Sequence, residues 1–132
     1  MIGIVVVTHG RVAEELVNAA RTIVGEIPRI VAVSMGWSDD ATAATSAVER
    51  GMGEVGGGDV LVLTDMFGGT PTNLSLPFLS EHVEIVTGVN LPMLIKASAL
   101  REGSLVEVAR AVREQGKGAI YVASEILQRK QP

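Results

Sequence analysis

"IVVVTHG", residues 4–10, sets four consecutive β-branched residues ahead of a threonine, a histidine and a glycine. Read from Ile2, the run IGIVVV (2–7) shows no polar alternation, so both of its faces are apolar. A strand of that kind is covered by helices on each side, as in parallel α/β sheets. His9 and Gly10 then stand at the carboxyl end of the strand. An imidazole at that place is a core residue, a metal ligand or a reactive group, and the rest of the chain has to separate these.

Beyond Gly10 the hydrophobic period becomes helical: Val12, Leu16, Ala20 and Ile23 share one face, and Gly25 ends the segment. RIVAVS (29–34) predicts a second strand. Asp39 and Asp40 open an alanine-rich helix with Ala41, Ala44, Thr45, Val48 and Met52 on one side. DVLVLTD (59–65) predicts a third buried strand, followed by MFGGTPTN (66–73). Thr70 before Pro71 reads as a hydroxyl N-cap with proline at the first helical position. That helix is predicted to run to about Ser80, bent at Pro77. VEIVTG (83–88) predicts a fourth strand and VNLPMLIKASAL (89–100) a short helix. SLVE (104–107) is a capping-box signature opening a helix that turns Leu105, Val108, Ala109 and Val112 inward. GAIYVAS (118–124) predicts a fifth strand, and residues 125–132, ending QRKQP, a polar tail. This alternation predicts one domain over 1–132: a three-layer α/β sandwich with a mainly parallel, open twisted sheet.

Composition narrows the function classes. The 132 residues are 47% hydrophobic and 20% charged, enough for one core without staples. With no cysteine, thiol catalysis and thiolate metal sites are excluded. No apolar run approaches the roughly 18 residues of a membrane span, and no basic segment precedes the apolar start; a cytoplasmic protein without membrane insertion is expected. The net charge of −4 argues against nucleic acid as a partner. GMGEVG (51–56) matches the dinucleotide pattern G-x-G-x-x-G letter for letter, but it follows a helix and precedes a strand, the reverse of the working context. It is read as a flexible connection, and no cofactor is expected. Neither is a metal, because His9 has no histidine four residues on and no evident carboxylate cluster.

In parallel sheets, ligands bind beyond the carboxyl ends of the strands, where strand order reverses. His9 follows strand one and Asp65 ends strand three, so they face each other if strand one lies between strands two and three. The carboxylate would fix the imidazole tautomer and support positive charge on the ring as its free nitrogen attacks an electrophile. The surroundings suit a phosphoryl group. Two helices start at this rim, from Gly10 and from Thr70; Gly68 and Gly69 permit close backbone approach, and the Thr8 and Thr70 hydroxyls are candidate donors. His82 precedes strand four, on the opposite rim, and reads as a solvated loop residue. Trp37 either packs over the site, meets a partner or covers the core edge. Met35, Met66, Phe67 and Met93 form either a docking collar around the histidine or part of the core.

Three ordered motifs, VVVTHG (5–10), LVLTDMFGGTPTN (61–73) and GVNLPML (88–94), resemble the IIA component of the mannose-family sugar phosphotransferase system across essentially the whole chain. The resemblance implies a phosphotransferase that uses no nucleotide. By it, His9 accepts a phosphoryl group from the phosphohistidine of the carrier protein HPr and passes it to a IIB component. Asp65 matches the family's hydrogen-bonding carboxylate, Thr70 a hydroxyl position lining the phosphate site, and Asn90 belongs to the third motif. Arg11 matches no family role; it contacts phosphate or HPr, or lies on an exposed helix turn. A homodimer is also implied, with the last strand, GAIYVAS, joining the partner's sheet antiparallel to the rest. Since the chain ends after a short tail, the IIB component is expected on a separate chain. Two other settings use the same chemistry: the phosphocarrier subunit of a phosphoenolpyruvate-dependent dihydroxyacetone kinase, and a regulatory module whose phosphorylation state reports metabolic status without sugar transport. A small-molecule-binding domain with a core histidine would take no phosphoryl group at all.

Overall fold

Gly3–His9 forms strand β1, and its two apolar faces place it at the centre of the sheet. In the computed structural model, which describes residues 1–129, β1 lies between β2 (Ile30–Met35) and β3 (Val60–Thr64). Strand β4 (Val83–Val86) completes the order β2-β1-β3-β4, and all three pairings are parallel. Val7 sits opposite both Val33 and Thr64, and His9 opposite Met35. This is the order that brings the carboxyl ends of β1 and β3 side by side.

Among the described residues there are six α-helices, α1 (Val12–Val24), α2 (Ala41–Glu54), α3 (Thr70–Ser75), α4 (Leu91–Ala99), α5 (Leu105–Gly118) and α6 (Ala123–Arg129), the last of them contributing nothing to either core. On one face Ile4 and Val6 pack with Ala13, Val17, Leu94 and Val112 of α1, α4 and α5. On the other, Val5 and Val7 pack with Ala44 and Val48 of α2. Ile4, Val5, Val6 and Val7 are fully buried, each contributing about 1.5–3 kcal/mol of transfer free energy. Asp40 accepts from the Ala43 N–H at 2.7 Å and caps α2, and Ser104 accepts from the Glu107 N–H to cap α5. The four residues predicted to face inward from α5 are all buried.

Elsewhere the structure corrects the expectations. Helix α1 starts at Val12 rather than Gly10, and its buried stripe is Ala13, Val17 and Ala20; Val12 and Ile23 are exposed. Adjacent Leu16 and Val17 let the apolar period be read in either of two phases, and the close approach of Ala13 to the sheet selects the second. Gly69, not Thr70, is the N-cap of α3, which ends at Ser75 and continues as a 3₁₀ turn over Leu76–Phe78. GMGEVG is no flexible connection at its start: Gly51 lies within α2 where a Cβ would stand 2.6 Å from Val33 Cγ2, so the glycine lets α2 approach β2.

The predicted fifth strand is absent from this chain's sheet. Gly118 ends α5, residues 119–122 run irregularly, and Ala123 and Ser124 already belong to α6. A β-rich composition makes a strand only where an edge is available to pair with, and here the segment reaches none in its own chain. The expected polar tail is helical as far as Arg129; its last residues, 130–132, lie outside the described ones.

Candidate functional site

Parallel pairing of β1 with β3 delivers His9 and Asp65 to one rim. His9 Nδ1 stands 2.7 Å from Asp65 Oδ2, and the same oxygen accepts the His9 backbone N–H at 2.9 Å. Asp65 Oδ1 accepts the Met66 N–H at 3.0 Å. The carboxylate is therefore aimed by two backbone donors, and it takes the ring proton on Nδ1. Burial pushes the Asp65 carboxyl up, but the hydrogen bonds from the His9 backbone and ring, with the Met66 N–H, outweigh it and hold it below its ordinary value of 3.8. It is ionised at neutral pH.

With Nδ1 occupied, Nε2 is left with its lone pair and with no hydrogen-bond partner among the described residues. The His9 side chain is 28% exposed, so this edge is reachable. The ring is held on other sides as well. A Cβ on Gly69 would stand 2.9 Å from His9 Cε1, which makes glycine the residue that fits against that edge. Trp37, in the β2–α2 loop, stacks on the imidazole with ring centroids 5.3 Å apart and planes 17° from parallel. Packing over the site is thus where its indole lies.

The loop after Asp65 is tied down from below. Thr72, fully buried, places its hydroxyl 2.7 Å from both the Met66 carbonyl oxygen and the Thr64 hydroxyl. Its importance was not readable from the sequence, because a threonine two residues after a helix start is ordinarily exposed; only the T-x-T spacing of Thr70 and Thr72 hints at it. The Gly68 and Thr70 N–H groups have no acceptor among the described residues, and the exposed Thr70 hydroxyl likewise has no partner.

Several candidates prove to be structural. Thr8 is fully buried; its hydroxyl accepts the Ala13 N–H at 2.7 Å and donates to the His9 carbonyl, so it caps the start of α1 with both bonds made to backbone. The Gly10 N–H is spent on the Met35 carbonyl at 2.8 Å. Met35 and Met93 are buried in the two cores and form no collar. Asn90 is the N-cap of α4, accepting from the Met93 N–H and donating to the Gly116 carbonyl. Met66 and Phe67 are exposed beside the site, and Arg11 lies on an exposed turn paired with Glu14. His82 is on the opposite rim, where Asp59 at 2.9 Å raises its pKa.

The chain is similar to known proteins both in sequence and in fold. The family described as EIIA-man, PTS system fructose IIA component, matches residues 3–112. The chain is 31% identical over 129 residues to the PTS system mannose-specific EIIAB component of Escherichia coli (strain K12), covering 90% of this chain but only 38% of that protein. It is 27% identical to the PTS system fructose-specific EIIA component of Bacillus subtilis (strain 168), over 98% of this chain and 91% of that one. Among solved structures, the mannose/sorbose-specific IIA subunit of the phosphotransferase system from Enterococcus faecalis superposes with a TM-score of 0.85 at 29% identity, covering 92% and 93% of the two chains. That structure shares the open α/β fold described above. The chain belongs to the mannose/fructose family of phosphotransferase-system IIA components.

Proposed function

We propose that this chain relays a phosphoryl group between proteins, taking it from the phosphohistidine of HPr onto His9 Nε2 and passing it to a IIB component. The observation that carries this reading is the 2.7 Å contact between His9 Nδ1 and Asp65, with Nε2 left on the open edge. In the step, the Nε2 lone pair forms a bond to phosphorus while the donor's P–N bond breaks and its electron pair returns to the donor imidazole. No proton moves: Nδ1–H stays bonded to Asp65, and the phosphorylated ring carries positive charge that the carboxylate offsets. Thr70 and the N–H groups of Gly68 and Thr70 are the donors nearest to hand for the phosphoryl oxygens. Gly69 serves by shape, leaving room for the ring. Transfer of this kind relies on positioning and electrostatics, with little acid–base work.

The exposed Met66 and Phe67 provide apolar surface beside His9 suited to a protein donor. Incubation with phosphoenolpyruvate, Enzyme I and HPr should add one phosphoryl group to the wild type and none to His9→Ala, read by intact mass. An unmodified wild type in the presence of charged HPr would refute the relay.

A homodimer fits the same reading. Strand β4 pairs with β3 on one side and with no strand on the other among the described residues. A groove of about 460 Å³ lies beside it, lined by the apolar Leu76, Ile85 and Val106 and by the charged Glu84, Arg110 and Arg113. Ile120, Tyr121 and Val122 stand exposed. An unpaired strand edge and an exposed apolar segment on one chain invite exchange between two copies.

A further inference from the structure

We propose that Trp37 is a positioning residue of the phosphoryl site, stacking on His9 to stabilise the positively charged ring that carries the phosphoryl group. The inference rests on the relay reading for its biological setting, though not for its chemistry. Three observations carry it. The indole lies along the imidazole with centroids 5.3 Å apart and planes 17° from parallel, within the range at which an aromatic face attracts a cation. Yet Trp37 is 81% exposed, so core packing does not account for a residue of this size here.

The loop is also built to present it. Asp39 accepts the Gly36 N–H at 2.9 Å through Oδ2 and returns its own N–H to the Gly36 carbonyl at 3.2 Å, closing a tight turn with Trp37 at its tip. A Cβ on Gly36 would meet Asp39 Oδ1 at 2.7 Å, so a larger residue would disrupt that turn. Across the gap, Gly10 has φ of +55°, and a Cβ there would stand 3.2 Å from Trp37 Nε1. Glycine at position 10 thus meets both a backbone need and the clearance of the indole.

The consequence concerns the lifetime of the phosphorylated state. When water attacks phosphorus, the P–N bond breaks and its electron pair returns to Nε2. The ring goes from cationic to neutral with Nδ1–H retained, and the two protons of the water leave on the phosphate. A neighbour that favours the cationic ring therefore slows this step. An exposed stack of this kind corresponds to about a twofold to fivefold effect.

The test uses the whole chain phosphorylated by phosphoramidate, a chemical donor that needs no partner protein. The His9 ring protons of the unphosphorylated wild type should be shifted upfield relative to Trp37→Leu, with Trp37→Phe retaining part of the shift. The phosphoryl group, followed by ³¹P NMR, should be lost about twofold to fivefold faster from Trp37→Leu, with Trp37→Phe between the two. Unshifted ring protons, equal lifetimes, or a His9 that phosphoramidate leaves unmodified would each overturn the inference. If HPr fails to charge His9 while the lifetimes differ as expected, the relay reading falls and the role of Trp37 stands.

Discussion

Asp65 uses both carboxylate oxygens at once, and this fixes the His9 ring with Nδ1 engaged and Nε2 left without a partner among the described residues. One oxygen takes the His9 backbone N–H and ring Nδ1, the other the Met66 N–H. Asp65→Asn keeps the size but can donate to Nδ1, selecting the wrong tautomer, and should slow transfer from HPr at least about tenfold. An unchanged rate in stopped reactions would contradict the orienting role. The Asp65 carboxyl is held below its ordinary value of 3.8, so its contribution to stability is complete above that value and is lost as pH falls through the lower folded value. The acid limb of stability should accordingly flatten in Asp65→Asn, measured by denaturant unfolding across that range. Thr8 makes the opposite prediction. As a buried cap for α1, Thr8→Val should cost about 1–2 kcal/mol of stability in urea unfolding while leaving transfer per folded molecule unchanged. A selective loss of transfer would restore the hydroxyl to the phosphate site. The meeting of His9 and Asp65 was legible once strand one was taken to lie between strands two and three, because parallel strands carry their carboxyl ends to one rim, and the motif resemblance pointed to the same pair. The tasks of Thr8 and Thr72 were not, since whether a hydroxyl faces ligand or backbone depends on neighbours distant in sequence.

At the scale of elements, local chemistry was readable where a cap marked the boundary. Asp40 and Ser104 start α2 and α5 as their sequences predict. Replacing Asp40 by Ala should cost about 1 kcal/mol in the same unfolding assay, and no loss would mean that the Ala43 N–H finds water equally well. Where the cap comes from outside the N-cap position the reading slipped. Helix α1 has Arg11 at that position, whose side chain caps no N–H; the cap comes from Thr8, and the apolar residues of the helix allow two phases. In the GGTP turn, Gly69 takes the capping position with extended backbone, so Thr70 moves into the first turn and Pro71 follows it. Proline at that depth is still tolerated because its missing N–H would have had no helical partner.

Over the whole molecule, the segment that misled the sequence reading is 118–124, which pairs with no strand of its own chain. GAIYVAS has strand composition, yet Ile120, Tyr121 and Val122 lie exposed beside no edge of their own sheet. Composition records what a segment can pair with, and a single chain does not supply the pair. If a second copy does, the wild type should sediment as a dimer at micromolar concentration, and Ile120→Asp with Val122→Asp should sediment as a monomer. A monomeric wild type at all concentrations would remove the exchange from the account.

Asp65 occupies Nδ1, and in the proposed relay this directs phosphorylation to Nε2 of His9. Long-range ¹H–¹⁵N correlation on the phosphorylated, ¹⁵N-labelled protein reads the attachment site directly. Phosphorus is expected on Nε2, with Nδ1 still protonated and hydrogen-bonded. Phosphorus on Nδ1, or on any residue other than His9, would contradict it.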